Sequence, residues 1–259
     1  MRFAEAGPRL AIVIDDLGND LNIASKVFEL PKNVSVAILP KLQHSKQIAI
    51  QSYLQGRESL MHQPMESIYK YKLGPGGLTN EQSYDEMIKA INDNLSSVPH
   101  VSGVNNHMGS LLTQDPKKMN WLMKILKEKN LFFIDSRTIV DTHAENMARQ
   151  LNLLTARRDV FLDNNPEPDA IRGQLLKAIY HAKKNGSAIA IGHPYPSTLT
   201  VLKSFLPKLK EQGVELISVS QVIRYQRKQR LWNQFSYHCL KVARNLKLLP
   251  LLTFCEGRI

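Results

Sequence analysis

Leu10-Ala11-Ile12-Val13-Ile14-Asp15-Asp16-Leu17-Gly18 decides the fold. Five consecutive apolar residues, rich in β-branched types, predict a strand buried on both faces. Two adjacent carboxylates stand at its C-terminal end, and Gly18 can turn the chain after them without a Cβ penalty. Asp is depleted in strands and rarely buried unpaired, so the pair needs a reason. In parallel α/β folds the carboxyl ends of the strands carry ligands and chemistry. Neighbours on an extended chain point opposite ways, so one Asp is expected to hold a cation while the other faces a reactant. The plainer alternative is one helix cap and one solvated carboxylate.

Outward from this stretch, apolar runs predict further strands at 34–39, 58–61, 101–104, 131–134, 160–162, 187–191 and 214–219. Helically spaced segments lie between them, for example Leu21, Ala24, Val27 and Phe28. Thr79 with Gln82 predicts a capping box, and Asp115-Pro116 predicts an N-cap followed by proline at the first helical position. Strand, polar turn and helix repeat seven or eight times with short connections, which predicts a parallel sheet closed, or nearly closed, into a barrel.

The 259 residues suffice for one large core, and no run reaches the 18 or so apolar residues of a membrane span. Net charge is +11, of which +7 falls on residues 224–259. The basic character is therefore mostly a property of the tail. Both cysteines, Cys239 and Cys255, lie there too. The body is thus neither disulfide-stapled nor a Cys-ligated zinc module, and any metal must sit on His and carboxylates. Residues 1–8 hold no apolar segment suited to a signal peptide, so either the protein stays inside the cell or a leader has been removed.

Most of the predicted strands finish on a His or Asp: Asp15, Asp16, His62, His107, Asp135, Asp163 and His193. On a barrel these converge on one rim. Singly, each could be a cap or a hydrogen-bonding group, and Asp135 and Asp163 could pair with Arg137 and Arg158. Together they predict a metal or catalytic rim. Two or three His plus a carboxylate suit Zn²⁺, and also Fe, Co, Ni or Mn. A spare carboxylate could take a proton from water and a spare His could protonate a leaving group.

The strings Asp15-Asp16-Leu17-Gly18, His62-Gln63-Pro64-Met65, Asn105-Asn106-His107-Met108-Gly109-Ser110, Asp135-Ser136-Arg137-Thr138, Phe161-Leu162-Asp163 and Gly192-His193-Pro194 resemble the divergent polysaccharide deacetylases, relatives of the polysaccharide deacetylases. The resemblance covers about residues 9–223. It implies a (β/α)7-type barrel of the glycoside hydrolase/deacetylase kind over 1–223, followed by a basic helical extension over 224–259. It also implies that Asp15 is the base, that Asp16 binds a divalent metal, zinc foremost, and that His193 is the acid. The ordinary deacetylases carry both metal histidines on one His-x-x-x-His turn. Here Glu66 stands where the second would be, and His107 is the expected replacement. Asn106, Asp135 and Asp163 are expected to support the rim. The implied substrate is an N-acetylated polysaccharide of the cell envelope, and the implied place is the periplasm of Gram-negative bacteria.

Three functions fit: a metal-dependent carbohydrate deacetylase, a non-catalytic carbohydrate-binding protein that keeps the barrel and metal, and a metallohydrolase of another substrate class. Tyr69, Tyr71 and Tyr195 are the rim aromatics on which a sugar could stack. In the tail, basic residues interleave with Leu231, Trp232, Phe235, Tyr237, Leu240, Val242 and Leu246, then Leu248-Leu249-Pro250-Leu251-Leu252. This spacing predicts a helix that packs Leu231, Phe235 and Val242 on the barrel. The other reading is a peripheral surface for membrane lipid or an acidic partner. No nucleic-acid-binding motif accompanies the charge, so no such partner is expected.

Overall fold

The computed structural model describes residues 7–245, with backbone alone for 240–245. The tail segment 246–259, including Leu248–Leu252 and Cys255, lies outside the described residues. In order, the elements are β1 (Arg9–Leu17), α1 (Leu21–Phe28), β2 (Ser35–Ile38), α2 (Ser45–Leu54), β3 (Ser59–Met65), α3 (Tyr84–Ser97), β4 (Gly103–Met108), α4 (Pro116–Glu128), β5 (Phe132–Asp135), α5 (Ala144–Gln150), β6 (Thr155–Arg157), β7 (Val160–Phe161), α6 (Pro168–Asn185), β8 (Ser187–Gly192), α7 (Pro196–Phe205), β9 (Glu215–Leu216) and α8 (Val219–Asn245). Short 3-10 turns occupy Leu112–Gln114 and Leu206–Gln212.

All strand pairings are parallel, in the order β6-β5-β4-β3-β2-β1-β8-β7, with β9 against the start of β1. The two ends of that order, β6 and β7, are separated in the chain only by Arg158 and Asp159. The Arg158 N–H donates to the Asp135 carbonyl and the Asp159 N–H to that of Ile189, each at 2.9 Å. Segment 155–161 therefore pairs with β5 through its first half and with β8 through its second. Taken as one stave, it closes the sheet into the expected (β/α)7 barrel.

Period-two alternation divides the strand residues between two cores. Ala11, Val13, Ala37, Leu60, Phe132, Ile134, Ala156, Ile189 and Ile191 fill the barrel interior. Their neighbours in sequence, such as Leu10, Ile12, Ile14, Ala188 and Ala190, pack outward against helices, and Met61, Val104 and Phe133 do so on the other side. Gly103 is required by the inner core, because a Cβ there would meet the Phe132 ring at 2.3 Å.

The base of the barrel is stopped by α8. Its first turn puts Val219, Val222 and Ile223 into the inner core. Tyr225 lies under the Arg9 guanidinium (4.1 Å), and Gln226 Nε2 donates to Ser187 Oγ (3.2 Å). Arg9 and Ser187 both begin strands, so α8 crosses the N-terminal end of the barrel. One helix thus runs through position 223, where the sequence places the end of the barrel. The predicted packing of Leu231 and Phe235 on the barrel is not observed: they are 56% and 49% exposed, because α8 has run past the barrel by that point. Val242 falls where no side chain is described.

Other differences are local. The helix expected to start at Thr79 starts one turn later, where Ser83 and Glu86 form the capping box. Asp115 caps α4 as predicted, accepting from the Lys117 and Lys118 amides. β3 and β4 run four residues beyond their predicted ends, so Asn105, Asn106 and His107 lie in a strand rather than a turn.

Candidate active site and metal centre

The inward face of each strand leads to the site. On β1, Ala11 and Val13 are followed by Asp15. On β3, Leu60 is followed by His62. On β4, Gly103 is followed by Asn105 and His107, and beyond β8, Ile189 and Ile191 are followed by His193. The apolar interior of the barrel therefore ends in a polar layer at its C-terminal mouth.

Alternation would send Asp16 outward. Instead β1 has an irregularity between Ile14 and Leu17, and Asp16 adopts a left-handed backbone (φ 61°). A bulge of this kind re-aims a side chain. Both carboxylates consequently reach His62 Nε2, with Asp15 Oδ2 at 3.5 Å and Asp16 Oδ1 at 3.2 Å. This corrects the expectation that the two point opposite ways.

Asp16 Oδ1, His62 Nε2 and His107 Nδ1 form a triangle with edges of 3.2, 2.9 and 3.3 Å. Donors on one tetrahedral zinc, at 2.0–2.1 Å from the ion, stand about 3.3 Å apart. Asp16 Oδ1 is buried, with the His62 and His107 ring nitrogens at 3.2 and 2.9 Å as its polar neighbours. A buried carboxylate oxygen facing two ring nitrogens fits a divalent cation, and these three residues are a group that could hold one.

Asn105 sets the orientation. Its Nδ2 donates to Asp15 Oδ1 (2.9 Å), so its Oδ1 faces His62 Nδ1, also at 2.9 Å. That oxygen only accepts, hence Nδ1 carries the hydrogen and Nε2 is left for the cluster. His62 and Asn105 are register partners across β3 and β4, which accounts for the contact.

On the opposite side, Asp163 Oδ2 accepts from the His193 amide (2.6 Å) and the Thr198 hydroxyl (2.8 Å), while its Oδ1 lies 3.0 Å from His193 Nδ1. His193 Nε2 then faces the site, 3.7 Å from Asp16 Oδ2. The Phe161 ring meets His193 edge-on at 5.2 Å, and Tyr195 stacks on it at 5.5 Å.

Electrostatics follow from this layout. Burial pushes the Asp15 carboxyl up, against the pull of His62. Burial would also raise Asp16, but His107 and His62 facing it hold it far below the usual carboxylate range. Burial would lower His62, yet Asp15 and Asp16 reverse this and push it up to about 9. For His193, burial is outweighed by the hydrogen bond to Asp163, and the result is upward.

The sequence profile of the divergent polysaccharide deacetylases matches residues 12–223. The chain belongs to this family. It is similar to an uncharacterised protein of Haemophilus influenzae, 39% identical over 222 residues that make up 86% of this chain and 79% of the other. It is also similar to the uncharacterised protein YibQ of Escherichia coli K12, 38% identical over 215 residues (83% and 67%). Among solved structures, an uncharacterised protein of Agrobacterium tumefaciens C58 superposes with a TM-score of 0.80 at 20% identity (83% and 89% covered). The peptidoglycan deacetylase PdaC of Bacillus subtilis, as a mutant, gives 0.51 at 16% (89% and 98%). At these identities the structures speak for the barrel alone.

In this member of the family, not every expected rim residue faces the cluster. Asp135 ends β5 but turns to the loop after it, accepting from the Arg137 amide (2.8 Å) and the Thr142 hydroxyl (2.9 Å). Asn106 bonds the Met108 carbonyl (2.7 Å) and the Ser136 amide (2.8 Å), bracing the loops beside His107. Asn105, not Asn106, contacts the site. Its signal was available: Asn105 and His107 are two apart and share a strand face, provided that β4 is read through Met108.

Proposed function

We propose that this chain is a metal-dependent hydrolase that removes the acetyl group from an N-acetylated sugar of a cell-envelope polysaccharide, outside the cytoplasm. The observation that carries the reading is the buried Asp16 oxygen facing His62 and His107, with Asp15 and His193 flanking it. The family's description and the peptidoglycan substrate of a protein of similar fold support the substrate class and the location.

Asp16, His62 and His107 would hold the cation, zinc being the ion best matched to one carboxylate and two imidazoles. When bound, it supplies polarisation of the acetyl carbonyl and acidification of the attacking water. Asp15 takes a proton from that water as it adds to the carbonyl carbon. Its raised affinity for protons suits a base working near neutral pH. His193, held by Asp163, then gives a proton from Nε2 to the sugar nitrogen as the C–N bond breaks. Acetate and a free amine result. Arg158 keeps the loop after β5 in place by donating to the Ser136 (2.6 Å) and Arg137 (2.8 Å) carbonyls.

The test pairs metal analysis with acetate release from an N-acetylglucosamine oligomer. One divalent ion per chain, lost in His107→Ala, and acetate release abolished by a chelator are the expected results. Metal retained in His107→Ala overturns the ligand set. Oligomer binding without acetate release makes the protein a carbohydrate binder instead.

A further inference from the structure

From Leu231 to His238 every residue except Ser236 is exposed, and Leu231, Trp232, Phe235 and Tyr237 are among them. Trp232 and Phe235 pack on each other, with ring centroids 5.8 Å apart. On α8, Leu231 and Phe235 fall on one side of the helix by sequence spacing, and Trp232 borders it. Arg224 and Arg227 fall on that same side by the same spacing, Lys228 lies beside Trp232, and Arg230 points away from it. Across Val219–Asn245 the sequence holds six Lys or Arg and no Asp or Glu. Arg224 and Arg227 are exposed at the barrel end of this run.

We propose that α8 beyond the barrel docks on an anionic lipid surface, lying in the headgroup layer with Leu231, Trp232 and Phe235 turned inward. Charge complementarity decides the occupant. A second copy of the helix would bring two wholly basic helices together with no acid between them, whereas an anionic membrane meets the basic residues near its surface with opposite charge. Trp and Tyr are also the side chains best suited to the headgroup region, with one apolar and one polar end. No described helix is long and apolar enough to cross a membrane, so the mode is peripheral. The geometry adds an orientation. Because α8 leaves from the base of the barrel, docking through it turns the C-terminal mouth, with Asp15, Asp16 and His193, away from the lipid.

The experiment is flotation of the full chain with vesicles of mixed phosphatidylglycerol and phosphatidylcholine, against vesicles of phosphatidylcholine alone. Binding to the mixed vesicles only, weakening as salt is raised, is expected. Arg224→Glu with Arg227→Glu should lower partitioning, roughly fivefold for each basic charge removed and further for each acidic charge added. Trp232→Ser with Phe235→Ser should reduce it independently. All four positions are exposed, and an unchanged unfolding temperature shows that the variants remain folded. No flotation, equal flotation with both vesicle types, or self-association abolished by Trp232→Ser with Phe235→Ser and accompanied by no flotation overturns the proposal.

Discussion

Replacing Asn105 by Leu isolates the role of orientation in the site. The exchange keeps the branched shape of Asn and removes its polar atoms, at the cost of the extra bulk of two methyl groups. It removes two buried hydrogen bonds of 2.9 Å, one with His62 Nδ1 and one to Asp15 Oδ1, beside a weaker one of 3.4 Å to Ser136 Oγ. Each orphaned partner costs about 1–3 kcal/mol, so the metal-free protein should lose about 2–6 kcal/mol of stability. Loss of the partner that orients a ligating His typically lowers metal affinity about 10- to 100-fold, or about 1.4–2.7 kcal/mol. Calorimetric titration of zinc into chelator-stripped protein reads the second quantity, and thermal unfolding reads the first. Asn105→Asp serves as the control: it keeps an acceptor for His62 but sets a carboxylate against Asp15. Zinc affinity should return while turnover stays low. A folded Asn105→Leu protein that binds zinc within about threefold of the original, well inside the range expected from losing an outer-shell partner, would refute the reasoning.

Asp15→Asn and His193→Ala should each lower turnover by about 10²- to 10⁴-fold with metal content unchanged, read by acetate release and metal analysis. A His193→Ala protein without metal would make His193 a ligand. pH separates the metal-free and metal-loaded states. His62 is held near 9 in the folded chain, above its ordinary value, so its contribution is full below about pH 6.5 and is lost as pH rises through 9. Metal-free protein should therefore lose up to about 3 kcal/mol of stability across that window, while zinc affinity rises, because binding must displace the His62 proton. Unfolding temperatures that stay flat from pH 6.5 to 9 in chelator contradict this. Truncation after Ile223 should leave a folded, metal-binding barrel that is less stable by about 1–3 kcal/mol, since Val219, Val222 and Ile223 remain but the Tyr225 and Gln226 contacts go. An insoluble product would make the rest of α8 part of the fold.

The barrel was legible because its inner and outer faces are both apolar. Runs such as 10–14 and 187–191 therefore stand out whichever face a residue takes. The mouth was less legible for the same physical reason reversed. Asn105, Asn106 and His107 are poor strand formers, and nothing in 101–108 shows that the strand continues into a polar layer of its own making. His62 was misplaced to the end of β3 on the same ground. The direction of Asp16 could not be read, since it depends on a left-handed backbone that the residue type permits but does not demand. The first half of the stave 155–161 escaped, because Thr155–Arg157 form only a short strand before the chain shifts from β5 to β8. The tail gave up its helix but not its packing, which depends on where α8 leaves the barrel.

The left-handed turn at Asp16 has an evolutionary consequence. Gly, Asn and Asp hold that conformation at least cost, so the position is constrained twice, once by the backbone and once by the carboxylate. A lineage that abandoned the chemistry would be released from the second constraint while the first still held. Its descendants should drift to Gly or Asn here, keeping the bend intact above an emptied mouth. A β-branched residue at the same place should appear only together with a shifted β1 register. Among relatives, this one position thus dates two separate losses, that of the reaction and that of the shape built for it.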